Sequence, residues 1–540
     1  MKRKYMTIVT MLSAISLAAC GQTTTTSVSN STANAQTENS TATDEKPSSD
    51  DDASGVNADT DQDRVADKDN NDEEDATSGE ETTITVQDGS IKTKGDGVEV
   101  DGSTITITEA GTYRFSGTLE DGKIVIDAKK KEVVVIFDDF MITNDEESPV
   151  QCLAAKTFTV KLASGSENTV TDGRAAIAEE DTNQSDDTES SSDTDETEED
   201  VPDAAIYSKA DLVITGKGSL TVNGGYCDGI HSKDTLIIES GTLKVTATEH
   251  GINGKDSLTI NGGTFDIESG EDGFHSKGDI EINEGTININ AGDDGMHADG
   301  NLTVNEGTID IEKCYEGLEG MTITMNGGDV DIVSEDDGLN AADPDSSSGD
   351  EMGFGGGRMG GMAGGGMFEA EEGVSIVING GTLKINADGD GIDSNGDLTI
   401  NGGSIIVYGP ENSGNSAIDY NGTGVITGGE ILTTGMSGRM ADTFSEGSTQ
   451  SYIVYYTTST EDAGTSIEIV DADGNTIYED DGTEKKFNMV IYSSDDLKTG
   501  NTYTVKVGDS SESVEISDIE NTIGTASQDT MGGGMRNHFN

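Results

Sequence analysis

One spacing limits what this chain can become. An acid-Gly-apolar motif recurs with its glycine at Gly229, Gly251, Gly273, Gly295 and Gly317, each 22 residues after the last, and then at Gly338 and Gly391. A second glycine keeps the same register at Gly241, Gly263, Gly285, Gly307, Gly328, Gly381 and Gly403. Short alternating runs lie between them. Leu236/Ile238, Leu258/Ile260, Ile280/Ile282, Leu302/Val304 and Leu398/Ile400 form one set; Leu243/Val245, Phe265/Ile267, Ile287/Ile289, Ile309/Ile311 and Leu383/Ile385 form another. Apolar residues two apart share one face of a strand. Runs this short, joined by Asn-Gly-Gly turns, leave no room for helices.

A 22-residue repeat made only of strands and turns predicts an all-β fold, a right-handed parallel β-helix solenoid. One coil cannot bury its own aliphatics; coils stacked about 4.8 Å apart pair equivalent strands and close a continuous core. Propeller blades need about 40–45 residues and are excluded. Asn261, Asn283, Asn305, Asn326, Asn379 and Asn401 fall at one corner, where amides are expected to bond along the stack. Looser strands from Thr83 to Gly173 are expected to supply the first coils and a cap, so the solenoid is assigned to 81–435. Between Tyr452 and Val507, Asp473-Gly474, Asp481-Gly482 and Thr499-Gly500 turns separate alternating strands. A small C-terminal β module is expected there, within 445–520, with 521–540 as a tail.

Composition bears on the ends, the insertions and the partners. A basic Met1-Lys-Arg-Lys4, an apolar stretch and Leu17-Ala18-Ala19-Cys20 read as a lipoprotein signal over residues 1–20, with Cys20 as the lipidated residue. The expected location is extracellular, anchored to a bacterial cell membrane by that lipid alone. Residues 21–80 read as an acidic tether, 179–200 as an acidic loop, and 344–372 as a Gly/Met-rich insertion. Exposed Met in the insertion could bind Cu(I), but its glycine content favours a flexible segment. Cys152, Cys227 and Cys314 lack zinc spacing and are expected as buried thiols. Asp plus Glu number 105 against 31 Lys plus Arg, a net charge of −74. That excess argues against nucleic acid and favours cations as partners.

Stacking turns positions into columns. Before the motif glycine stand Asp228, Glu249, Glu271, Asp272, Asp293, Asp294, Glu316, Asp336, Asp337 and Asp390, with His250 among them. Two carboxylates about 5 Å apart repel by about 3 kcal/mol at an effective dielectric near 20. Such a column must take up protons, splay into solvent, or hold hard cations. Carboxylates with asparagine and turn carbonyls are the ligand set of Ca²⁺, and these acids are the expected calcium ligands, best in the pairs Glu271/Asp272, Asp293/Asp294 and Asp336/Asp337. A solvated acidic face is the plainer alternative. Two positions after the glycine stand His231, Asn253, His275, His297, Glu319, Asn340 and Asp393; Lys233, Lys255 and Lys277 follow in the turn. His231, Asn253, His275, His297 and these lysines are the expected ligand-contacting groups. Histidines in one column make a line rather than a tetrahedron, which favours hydrogen bonding over a transition metal.

Taken with the segments Thr106–Leu119 (TITEAGTYRFSGTL), Glu167–Gly173 (ENTVTDG) and Ala204–Leu212 (AAIYSKADL), the chain resembles the secreted bacterial carbohydrate-binding domain-containing proteins. These are calcium-binding parallel β-helices related in fold to pectate-type polysaccharide lyases. The resemblance implies binding of polysaccharide, with an acidic plant-wall glycan such as polygalacturonate favoured. A rival is a calcium-dependent lyase using Lys233, Lys255 or Lys277 as base, since Arg358 is the one arginine between Ala210 and Gly435. Repeated similar turns look like a surface rather than one distinguished site, which favours a non-catalytic binder. A purely structural surface adhesin is the third reading.

Overall fold

The computed structural model describes residues 81–176, 201–344, 370–438 and 441–526, in which strands and turns occur and helices do not. The signal with Cys20, the tether, the acidic loop, nearly all of the Gly/Met-rich insertion and most of the tail lie outside the described residues. The expected parallel β-helix is present, with about 12 turns.

Each regular coil contributes three strands, and each strand pairs in parallel with its equivalents above and below. One column runs through Asp228–Ser232, Ile252–Gly254 and Phe274–Ser276; the next through Thr235–Ile238, Ser257–Ile260 and Asp279–Ile282; the third through Thr242–Ala247, Thr264–Glu268 and Thr286–Asn290. Leu236 pairs with Leu258, Leu258 with Ile280, and Ile280 with Leu302, so the first aliphatic set becomes one inward row. Phe265 and Ile287 continue the second. These side chains are all 1% exposed or less and belong to one core running the length of the stack. Each is worth about 1.5–3 kcal/mol of burial.

The two glycine rows serve different needs. A Cβ on Gly251 would stand 2.7 Å from the carbonyl oxygen of Gly273, and one on Gly273 would stand 2.6 Å from that of Gly295. The motif glycine is therefore demanded by the close approach of successive coils. At the second row the demand is conformational: Gly241, Gly263 and Gly285 have φ of +133°, +121° and +140°, which L side chains avoid.

The asparagine ladder forms. Asn283 Nδ2 donates to Asn261 Oδ1 at 3.0 Å, Asn305 to Asn283 at 2.8 Å and Asn326 to Asn305 at 2.8 Å. Asn379 and Asn401 extend it at 2.9 Å each. The bond from Asn379 to Asn326 spans 53 residues of sequence. Thr322–Met325 likewise pairs with Ser375–Ile378, so the stack keeps register across the insertion. Cys152, Cys227 and Cys314 are free and buried, as expected.

Both ends of the stack leave the parallel pattern. At the start, Thr82–Gln87 folds back antiparallel on Ser90–Lys94, and Val98–Asp101 on Thr104–Ile107. At the far end, Glu430–Gly435 pairs antiparallel with Phe487–Ser493, which pairs antiparallel with Tyr452–Glu461. A second, four-stranded sheet of Ile467–Val470, Thr476–Asp480, Thr502–Val507 and Ser510–Glu515 packs on this one around Phe487, Tyr492 and Tyr503. Covering a sheet edge in this way denies it to other chains.

Candidate metal centre

The first strand column carries the candidate site. Residues two after the motif glycine pair in order: Tyr207 with His231, His231 with Asn253, Asn253 with His275, His275 with His297, and His297 with Glu319. The row continues through Asn340 and Asp393 to Asp419. The residue just before the glycine has a structural task as well. The amide of His250 donates to Asp228 Oδ1, that of Asp294 to Asp272 Oδ1, and that of Glu316 to Asp294 Oδ1, at 3.1–3.2 Å. The amide of Asp390 donates to Asp337 Oδ1 at 2.5 Å, and that of Ser416 to Asp390 Oδ1. Each such carboxylate thus satisfies a backbone donor of the next coil with one oxygen and keeps the other for side chains.

In the first half of the column those side chains are imidazoles. Asp228 Oδ2 lies 3.3 Å from His231 Nδ1, which also meets Asp203 at 2.8 Å, and Asn253 donates to Asp228 at 3.1 Å. Asp272 Oδ2 faces His275 Nδ1 at 2.8 Å and His250 Nδ1 at 3.3 Å. His297 Nδ1 lies 3.1 Å from Asp294 and 2.6 Å from Glu319, while its Nε2 meets Asp299 at 3.2 Å. The rings of His250 and His275 stack at 4.2 Å, and those of His275 and His297 at 5.2 Å. Burial would raise the Asp272 carboxyl, but the His250 and His275 imidazoles outweigh it and hold it well below the usual range. Burial alone would lower His250; the Asp272, Asp228 and Glu271 carboxylates raise it to about 9.

In the second half carboxylates face one another. Oxygens of Asp337, Asp390 and Asp393 lie within 4.8 Å of each other. Burial, compounded by Asp336, raises Asp337 to about 7. Burial, with Asp337 and Asp393, raises Asp390 to about 9. Asp393 is pushed well above the carboxylate range by burial and by Asp337 and Asp419. Asp419 is itself raised by burial, and Asp442 reaches about 6 through burial and Asp419. A site of this kind holds protons or a hard cation; its donors are oxygens throughout, the set calcium takes.

The pairs read from sequence divide. Asp272 and Asp294 are buried in the stack, while Glu271 and Asp293 are exposed. Asp228 is buried, and Glu249, Glu316, Asp336, Asp337 and Asp390 are half-buried. Asn253 is buried, His275 and His297 half-buried, and His231 only 6% exposed. Lys255 and Lys277 are exposed, and Lys233 Nζ lies 3.5 Å from Asp203. Beyond the residues that the sequence assigns to metal or ligand, the structure adds His250, Asp203, Glu319, Asp393, Asp419 and Asp442 to the site. Glu319 and Asp393 lay in the row already legible; Asp203 and Asp442 lie outside the motif turns and carried no repeat signal.

Residues 101–365 match the family model described as Carbohydrate-binding domain-containing protein. A carbohydrate-binding domain-containing protein of Acetivibrio thermocellus is 33% identical over 153 residues, 28% of this chain and 48% of its own length. The match therefore spans about half of that relative. The solved structure of a polysaccharide lyase-like protein from C. thermocellum, a gadolinium derivative, is 29% identical, covering 49% of this chain and 98% of that one with a TM-score of 0.38. The family named by the first two comparisons is the one that the sequence resembles.

Proposed function

We propose that this chain binds extracellular polysaccharide in a calcium-dependent manner, with an acidic glycan of the polygalacturonate kind as the favoured ligand. The observation that carries the calcium requirement is the Asp337/Asp390/Asp393 cluster, three converging carboxylates with Asp419 at its edge. Calcium would be held by those oxygens. It supplies positive charge on a chain of net charge −74, and so a bridge to uronate carboxylates that the bare protein repels. The glycan part rests on similarity to the carbohydrate-binding family over residues 101–365. The lipid on Cys20 would hold the protein at the membrane of the cell that secretes it.

Binding is favoured over eliminative cleavage. A lyase needs a base converging with the metal on one sugar, whereas Lys255 and Lys277 are exposed on successive turns and Lys233 sits against Asp203. The test is retention of the full chain on immobilised polygalacturonate with calcium or with chelator. Calcium-dependent retention, lost in the Asp390→Asn/Asp393→Asn variant and unaccompanied by unsaturated products, is the expected result. Retention indifferent to chelator would remove calcium from the reading, and product formation abolished at one lysine would replace the binder with a lyase.

A further inference from the structure

His250 and His275 belong to different rows of the repeat. His250 stands just before the glycine of one coil and His275 two after the glycine of the next, so they are neighbours along a diagonal. Both Nδ1 atoms turn toward Asp272 Oδ2, at 3.3 and 2.8 Å, and one ligand atom from each of the three residues lies within 4.8 Å of the others. The His275 contact is a hydrogen bond. His250 Nδ1 is buried yet too poorly aligned to make one, and it has no other partner. A buried ring nitrogen with a charged neighbour but no aligned hydrogen bond needs an explanation. The Nδ1 atoms of the other column histidines are satisfied, His231 by Asp203 at 2.8 Å and His297 by Asp294 at 3.1 Å.

We propose that His250, Asp272 and His275 form a binding site for a divalent transition-metal ion of the zinc, cobalt or nickel kind, distinct from the carboxylate cluster. Two imidazoles and a carboxylate suit such ions, whereas calcium takes oxygen and gains little from ring nitrogen. Glu271 Oε2 lies 3.5 Å from His250 Nε2, on the side of the ring away from Asp272. A carboxylate there holds the Nε2 proton, so that an arriving ion displaces only the proton on Nδ1. The remaining oxygen of Asp272 is engaged by the Asp294 amide, so the carboxylate is fixed in place before any ion arrives. Because each imidazole ligates along its own plane, loading turns the two rings out of their stack. The three protein ligands leave coordination positions for water or an outside donor.

The site does not depend on the calcium reading, and the two can fail separately. The full chain is first saturated with calcium and then titrated with Co²⁺ by visible d–d absorption and with Zn²⁺ by calorimetry. The expected result is tight binding, with a cobalt spectrum showing nitrogen ligation, weakened by about 10-fold or more in His250→Gln and in His275→Gln but unchanged in Asp390→Asn. Calcium-bound melting temperatures check that the variants fold. Should His275→Gln fail that check, His250→Gln carries the test, since its Nδ1 makes no hydrogen bond to lose. Equal cobalt and zinc affinity in wild type and His250→Gln would overturn the proposal, as would binding that Asp390→Asn abolishes.

Discussion

The coils around Asp272 and those around Asp390 use one backbone slot for opposite electrostatic ends. Both carboxylates accept the amide of the next coil. Asp272 then faces two imidazoles and is held as an anion, while Asp390 faces Asp337 and Asp393 and is driven toward protonation. A repeat thus fixes where a side chain lies in the stack but not its charge state. Burial and all the charged neighbours together set that, since Asp228 and Asp294 also face imidazoles yet are raised.

Calcium removal should separate the halves most. Adding chelator to calcium-loaded protein is expected to lower the melting temperature and to raise hydrogen exchange in Leu339–Ala341, Ile392–Ser394 and Ile418–Tyr420, leaving Ile252–Gly254 and Phe274–Ser276 protected. Uniform exchange along the column would mean that the halves do not differ in metal demand.

The double variant Asp390→Asn/Asp393→Asn comes next. It removes two half-buried acids from a self-repelling cluster, so chelated variant should melt above chelated wild type, and calcium should no longer raise the variant's transition. A variant that melts below wild type in chelator would show the cluster to be stabilising without metal.

Acidity sharpens the contrast in the chelated protein. Asp337 and Asp390 titrate at about 7 and about 9 in the fold, against about 3.9 unfolded. The folded state therefore binds more protons across that window, and stability falls as pH rises from about 4 to about 9. Asp272 is depressed instead, so its contribution is present above about 3.9 and lost as pH falls below it. His250, raised to about 9, contributes fully below about 6.5 and loses that contribution as pH climbs through its folded value. Asp228 and Asp294 are raised as well, chiefly by burial, so between pH 4 and 6.5 their coils and those of Asp337 and Asp390 should loosen relative to the coil of Asp272, which exchange rates corrected for intrinsic chemistry will read.

The smallest effect should come from outside the column. Asn305→Ala removes a ladder member that donates to Asn283 and accepts from Asn326. A loss of about 1 kcal/mol, equal with and without calcium, is expected in denaturant melts; dependence on calcium would tie the ladder to the metal column.

Much of this was legible beforehand. The inward aliphatic rows, the asparagine ladder and the order His231, Asn253, His275, His297 follow from period alone, because parallel pairing maps equal positions onto each other. Burial within the acid pairs was not legible: Asp272 is buried in the stack and Glu271 is exposed, though both carboxylates reach the ring of His250. The line of histidines was also incomplete, since His250 reaches His275 across rows.

Repetition in the residue string was enough to dictate the coil, its core and the ranks of side chains along it, since a strand too short to bury its own apolar face must stack on its like. Which ranks converge depends on the path of each turn and the direction of each Cβ. Those place Asp272 between two rings and Asp390 among acids, and no linear period encodes a diagonal contact in space.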